Sequence, residues 1–116
     1  FGCPKGTFHV GKEPSIVAPN ISFIKGWFED SLVQFLSEDK LKENLIIHLD
    51  ADLYSPTIFV LRTLTKWLIV DTIIIFDEFW FVKDEYKALL DWTSETGKNF
   101  EYIASSDRNV AIKITS

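Results

Sequence analysis

The sequence predicts an α/β domain with a mostly parallel sheet, and three observations predict it. Two short apolar runs, residues 45–49 and 72–76, each end abruptly in carboxylates: Asp50 and Asp52 after the first, Asp77 and Glu78 after the second. Continuous apolar runs of this length between polar breakers fit strands buried on both faces, as parallel strands are. Helical patterns alternate with such runs along most of the chain, and two final runs joined by a short turn make an antiparallel hairpin.

Taken in order, residues 1–20 hold three of the five glycines and three of the four prolines and read as irregular structure. Residues 21–25 (Ile-Ser-Phe-Ile-Lys) have strand character, which Gly26 ends. From Phe28 to about Asp39, Phe28, Leu32, Phe35 and Leu36 form the i, i+4, i+7, i+8 stripe of an amphipathic helix, with Glu29 and Asp30 favourably placed in its first turn. After the strand at 45–49, Ser55 is placed to cap a second helix with Pro56 at its first position. That helix is expected to run to about Leu68, with Ile58, Leu61, Leu64 and Leu68 on one face. The strand at 72–76 follows. A third helix spans 84–96, with Tyr86, Leu89, Leu90 and Trp92 apolar and Gly97 as its stop. Residues 100–104 and 110–114 form the hairpin around Ser105–Asn109. No internal repeat, linker or low-complexity run interrupts this order.

Composition narrows the function. A chain of 116 residues is one domain at most, and 47% hydrophobic with 15% aromatic residues suffices for a packed core. A net charge of −5 without a basic cluster argues against nucleic-acid binding. The single cysteine, Cys3, excludes an internal disulfide or a cysteine metal cluster. No apolar run reaches the roughly 18 residues of a membrane helix, so a soluble, cytoplasmic protein without membrane partners is expected. The absence of methionine, position 1 included, and the loop-like opening Phe1-Gly2-Cys3-Pro4-Lys5-Gly6 lead us to expect a fragment of a longer polypeptide.

Asp50 and Asp77 each follow directly on a strand, and their separation (77 − 50 = 27) is one strand–helix–strand unit. Parallel neighbours lie about 4.8 Å apart, so side chains from adjacent strand tips can share one ion. Carboxylates held together repel unless protonated or bridged by a cation. An oxygen-ligand site of the magnesium or calcium kind would need only Asp50, Asp77 and one of Asp52 or Glu78. The competing reading is that these acids are helix caps and solvated loop residues.

Four stretches then become recognisable in order and spacing: Gly26-Trp27-Phe28-Glu29-Asp30-Ser31-Leu32, His48-Leu49-Asp50-Ala51-Asp52-Leu53-Tyr54-Ser55-Pro56-Thr57, Ile75-Phe76-Asp77-Glu78-Phe79 and Asp84-Glu85-Tyr86-Lys87-Ala88. Together they resemble the macrocin O-methyltransferase-like group of class I S-adenosylmethionine-dependent methyltransferases, across essentially the whole chain. The resemblance implies the second half of a Rossmann-like sheet, with residues 21–25, 45–49 and 72–76 as its third to fifth strands and the hairpin as its last two. It also implies Mg²⁺ held by Asp50, Asp77 and Glu78 to orient the hydroxyl of a small-molecule acceptor. Read from position alone, Trp80 and Phe81, just after the acidic pair, are the best candidates for an acceptor wall, with Asp52 beside them, and Tyr54 either lines that pocket or packs under the metal loop. Gly26, Trp27 and Phe28 would lie on the adenine side of S-adenosylmethionine. The glycine-rich loop after the first strand and the ribose-binding acid after the second are not in this chain, and Val70-Asp71 stand where the group has a glycine pair.

Other residues read more simply. His48 is expected to be a strand histidine with a backbone or carboxylate partner rather than a base. Cys3 has no base in its sequence context and reads as inert, and His9 reads as a loop residue, a place near the acceptor being the lesser alternative. As a class, Trp27, Trp67, Trp80 and Trp92 are more often core or interface residues than ligand platforms, and Trp80 is the one best placed for an acceptor wall. The alternative to an enzyme is a non-catalytic α/β fragment that self-associates, as a homodimer or otherwise, through the unpaired side of the strand at 45–49. A metal-dependent hydrolase or phosphotransferase would need a phosphate cradle, and no glycine-rich P-loop is present.

Overall fold

The computed structural model describes residues 18–80 and 83–116. Cys3, His9 and Phe81 lie outside the described residues. Three helices, α1 (Phe28–Ser37), α2 (Tyr54–Leu64) and α3 (Glu85–Thr96), accompany strands β1 (Ile46–Leu49), β2 (Ile73–Phe76), β3 (Phe100–Ser105) and β4 (Val110–Ile114). The strands form one sheet in the order β1-β2-β4-β3. β1 and β2 are parallel, whereas β4 runs antiparallel to both of its neighbours. Three strands therefore point one way and β4 the other, which makes the sheet mixed.

One face of the sheet carries the core. Leu49, Ile74, Phe76, Ile112 and Ile114 are buried there with Ile58, Leu61 and Leu64 of α2 and Leu89 and Trp92 of α3. The indole Nε1 of Trp92 donates to Thr65 Oγ1 at 2.9 Å, satisfying its one polar atom within the core. The other face is less covered: Ile46 and His48 of β1 are exposed, and Ile73 and Ile75 of β2 are half-buried. The expectation of strands buried on both faces is thus corrected. α2 and α3 pack against each other over the same side of the sheet, and α1 packs on α2.

Three further expectations change. Residues 21–25 form no strand, because a strand requires a ladder partner and none of the described strands pairs with them. α2 begins one residue before Ser55, with Leu53 as its N-cap, and ends at Leu64, followed by a 3₁₀ turn at Thr65–Trp67. Ser55 does not cap it. Instead, Asp84 at the start of α3 accepts the Tyr54 N–H at 3.2 Å, so the cap comes from a distant part of the chain. The third helix and its stop match the reading closely: Gly97 adopts φ +73° and donates its N–H to Thr93 O at 2.9 Å. Gly26 is equally constrained. Its φ is +140°, and a Cβ there would meet the Cβ of Ser31 at 3.2 Å. No helix among the described residues is long and apolar enough to cross a membrane.

Candidate metal centre at the strand tips

The parallel register pairs Leu49 with Phe76, and the Asp77 N–H donates to Leu49 O at 3.0 Å. Asp50 and Asp77 therefore leave the sheet at the same level. The chain then folds back sharply: Leu53 N–H donates to Ala51 O at 2.7 Å, around Asp52 at φ +63°. This left-handed conformation is uncommon outside glycine, though aspartate tolerates it better than most residues. The turn returns the Asp52 carboxylate to the rim. One oxygen each from Asp50, Asp52 and Asp77 lies within 4.8 Å of the others.

Such proximity raises proton affinity. Partial burial first, and then the neighbouring Asp77 carboxylate, push the Asp50 carboxyl above its ordinary range. Asp52 is raised as well, by burial and then by Glu78 and Asp77. A divalent cation would relieve this repulsion, and three hard oxygen donors suit Mg²⁺ or Ca²⁺ in type. His48 Nε2 lies 3.4 Å from Asp77 Oδ1, giving the strand histidine its carboxylate partner.

Glu78 turns elsewhere. Its Oε2 accepts the Trp80 indole N–H at 2.9 Å, and its Oε1 lies 3.8 Å from the Arg108 guanidinium, which stacks over the exposed Trp80 ring at 5.6 Å. The structure thus gathers Asp50 and Asp77 with Asp52, and sets Glu78 beside Trp80 at the edge of the group. Tyr54, half-buried at the start of α2, donates its hydroxyl to Asp91 of α3 at 2.7 Å. Gly26 belongs to an open groove of about 520 Å³ that Phe23, Asp30, Ser31 and Phe35 also line. Trp27 and Phe28 are exposed at the adjoining start of α1.

Two features of the rim escape a reading of the sequence. The first is Glu85, which is 0% exposed. Its Oε1 accepts the Glu78 N–H at 2.8 Å, and its Oε2 is buried without a hydrogen-bond partner. Burial pushes its carboxyl up to about 6, against the opposing pull of the backbone amides of Glu78, Asp52 and Ala51. The signal was present in the sequence: Glu85 precedes Leu89 by four residues and Trp92 by seven, so it occupies the apolar stripe of its own helix. The second is the β3–β4 turn, expected to be a plain turn. Phe79 N–H donates to Arg108 O at 3.0 Å. With its side-chain amide nitrogen turned toward Asp77, Asn109 donates to Asp77 O at 2.7 Å and to Asp77 Oδ1 at 3.2 Å. The turn thereby braces the tip of β2.

Comparison with known proteins agrees with this architecture. The apo structure of CalS11, a TDP-rhamnose 3′-O-methyltransferase of calicheamicin biosynthesis, superposes with a TM-score of 0.60 at 19% identity. The match covers 78% of this chain and 39% of that one, so the chain spans well under half of the length of the protein it resembles. No curated protein sequence gives a significant match. The family model for macrocin-O-methyltransferase (TylF) matches residues 12–107, most of the chain, and the chain therefore belongs to the macrocin-O-methyltransferase (TylF) family.

Proposed function

We propose that the chain is the C-terminal part of a Rossmann-like, S-adenosylmethionine-dependent O-methyltransferase that uses a divalent cation, Mg²⁺ or a similar ion, to hold a small-molecule hydroxyl acceptor. The observation that carries this reading is the convergence of Asp50, Asp52 and Asp77 at the tips of two adjacent parallel strands, in a chain of this family. Ligands of open α/β sheets bind outside the carboxyl ends of the strands, where these acids stand. CalS11 acts on a nucleotide-linked sugar hydroxyl, which supports a hydroxyl as the acceptor group.

Asp50 and Asp77 would hold the cation, joined by Glu78 once its carboxylate rotates away from Trp80. When bound, the ion lowers the pKa of an acceptor hydroxyl and fixes its position. Asp52 would then border the acceptor rather than join the ligands. Trp80, exposed beside Glu78, would form a wall of the acceptor site, and Phe81 follows it in sequence. S-adenosylmethionine supplies the electrophilic methyl group, and Gly26, Trp27 and Phe28 would border its adenine side.

The sheet supports a second element of the proposal, self-association. Among the described residues β1 is paired only on its β2 side, and Ile46 is 70% exposed. A bare apolar edge of this kind recruits another strand. A self-associating fragment without catalysis is the alternative.

Calorimetric titration of the 116-residue chain with Mg²⁺, beside Asp77→Asn, tests the cation site, and titration with S-adenosylmethionine tests the cofactor. Saturable Mg²⁺ binding that Asp77→Asn abolishes supports the reading. If neither ligand binds and the chain sediments as a dimer, the non-catalytic alternative is preferred.

A further inference from the structure

We infer that Asp84 and Glu85 form a positioning clamp that fixes the two strand-tip loops relative to each other, and so sets the spacing of the acidic cluster. The inference deepens the cation reading above and rests on it for its functional meaning. Its geometric basis is separate.

The acids of the rim lie on two loops, residues 50–53 after β1 and 77–80 after β2. Backbone bonds to β1 end at Asp77, and beyond it Phe79 is tied to Arg108 of the β3–β4 turn, so neither ladder joins residues 78–80 to the first loop. The adjacent pair at the start of α3 reaches both loops. Asp84 accepts the N–H of Tyr54, where the first loop enters α2, at 3.2 Å. Glu85 accepts the N–H of Glu78, in the second loop, at 2.8 Å. Its other oxygen is buried without a hydrogen-bond partner, so the link to the first loop runs through Asp84. An ionised carboxylate only accepts hydrogen bonds, so a residue of this type between backbone amides draws their loops together. Phe79 supplies an apolar counterpart: its ring is buried against Phe76 and Tyr86, at centroid distances of 5.1 and 5.3 Å. The clamp is anchored on α3, whose stripe of Ala88, Leu89 and Trp92 is fully buried. The rim acids thus inherit the rigidity of the core without being part of it. Groups that orient metal ligands in this way change cation affinity by roughly 10–100-fold when removed.

The test is residue-resolved amide hydrogen exchange on the 116-residue chain, with Mg²⁺ titration alongside. Glu85→Leu keeps the apolar stripe and removes the oxygen that accepts the Glu78 N–H. It should speed exchange of the Glu78 amide by about tenfold or more while leaving the Ile114 amide of β4 unchanged. Glu85→Gln retains one accepting oxygen and should restore part of the protection. Asp84→Ala should release the Tyr54 amide and not that of Glu78, and it serves as the decisive variant if Glu85→Leu fails to fold. Unchanged Glu78 exchange in Glu85→Leu, or equal acceleration in β4, overturns the clamp. Mg²⁺ affinity should fall roughly 10–100-fold in Glu85→Leu. Released loops with unaltered Mg²⁺ affinity would also overturn the positioning role. A wild-type chain that binds no Mg²⁺ refutes the cation reading alone, because the exchange measurements still decide whether the clamp exists.

Discussion

Two groups of acids stand within one loop's breadth of each other and behave oppositely. Asp50, Asp52 and Asp77 face one another on the rim, Asp50 exposed and the other two half-buried. Asp84 and Glu85 lie buried beneath the rim and face backbone amides instead. The upper group is electrostatically unsatisfied: Asp50 and Asp52 hold their protons more tightly than isolated carboxylates would. The lower group is spent on structure. The contrast teaches which acids are available to an external cation and which hold the others in place, a distinction that residue type alone does not make.

The largest expected effect comes from the upper group. Asp77 has the shared corner on one side and His48 and Asn109 on the other. Asp77→Asn keeps the shape and removes the charge, and it should lower Mg²⁺ affinity by about 100-fold or more, beyond what supporting residues cost. Glu78→Gln, run in the same calorimetric series, decides whether Glu78 abandons Trp80 for the cation. A loss approaching that of Asp77→Asn makes it a ligand, and an unchanged affinity leaves the third position to Asp52.

Next comes a change in the lower group, read as stability. Glu85→Ala relieves a buried charge but orphans the Glu78 amide and opens a cavity, and a buried unsatisfied group costs about 1–3 kcal/mol. A domain of this size loses roughly 4–8 °C of Tm for each kcal/mol, so thermal melting followed by circular dichroism resolves the effect easily. An unchanged Tm would mean that the amide finds water instead.

pH separates the two groups in another way. Glu85 ionises above its ordinary 4.5 in the unfolded chain and only above about 6 in the fold. Below 4.5 it is neutral in both states, and its contribution is lost as the pH rises through 6 and the fold must bury the charge. Asp50 and Asp52, also raised, act in the same direction. Asp91 and Glu95, held low first by hydrogen bonds from Lys87 and Arg62, act in the opposite direction, but the stability they contribute is lost mainly below pH 4.5, outside this window. Without a cation, Tm should therefore fall between pH 4.5 and pH values above 6. Saturating Mg²⁺ should reverse the trend, because protons compete with the ion for Asp50 and Asp77. Parallel curves with and without Mg²⁺ would count against a site at these acids.

Much of this corner was legible in the sequence. Apolar runs that stop at Asp50 and Asp77 mark strand ends, and equal exits from adjacent strands follow once the two are parallel. The direction of Glu78 was not legible, because successive residues leaving a strand point to opposite sides and the adjacency of two acids hides this. The failure at residues 21–25 has a different cause. Their strand character is a local property, whereas a strand exists only where a partner offers its amides and carbonyls. Glu85 was missed for a third reason: an acid at the start of a helix ordinarily reads as a favourable charge near the dipole. Only its place on the Leu89–Trp92 stripe marks it as buried.

The smallest effect belongs to the brace from the hairpin. Asn109 is exposed, and its amide reaches both the backbone and the side-chain oxygen of Asp77. Solvent competes for these hydrogen bonds, so their loss is partly made good by water. Asn109→Ala should therefore weaken Mg²⁺ binding by only about threefold to tenfold, less than Glu85→Leu, and should leave stability within about 0.5 kcal/mol of the parent, as surface changes usually do. The order of the two variants is the informative result. If removing the exposed amide costs more cation affinity than removing the buried carboxylate, then the rim is held from the hairpin side, and α3 is a support for the core rather than for the site.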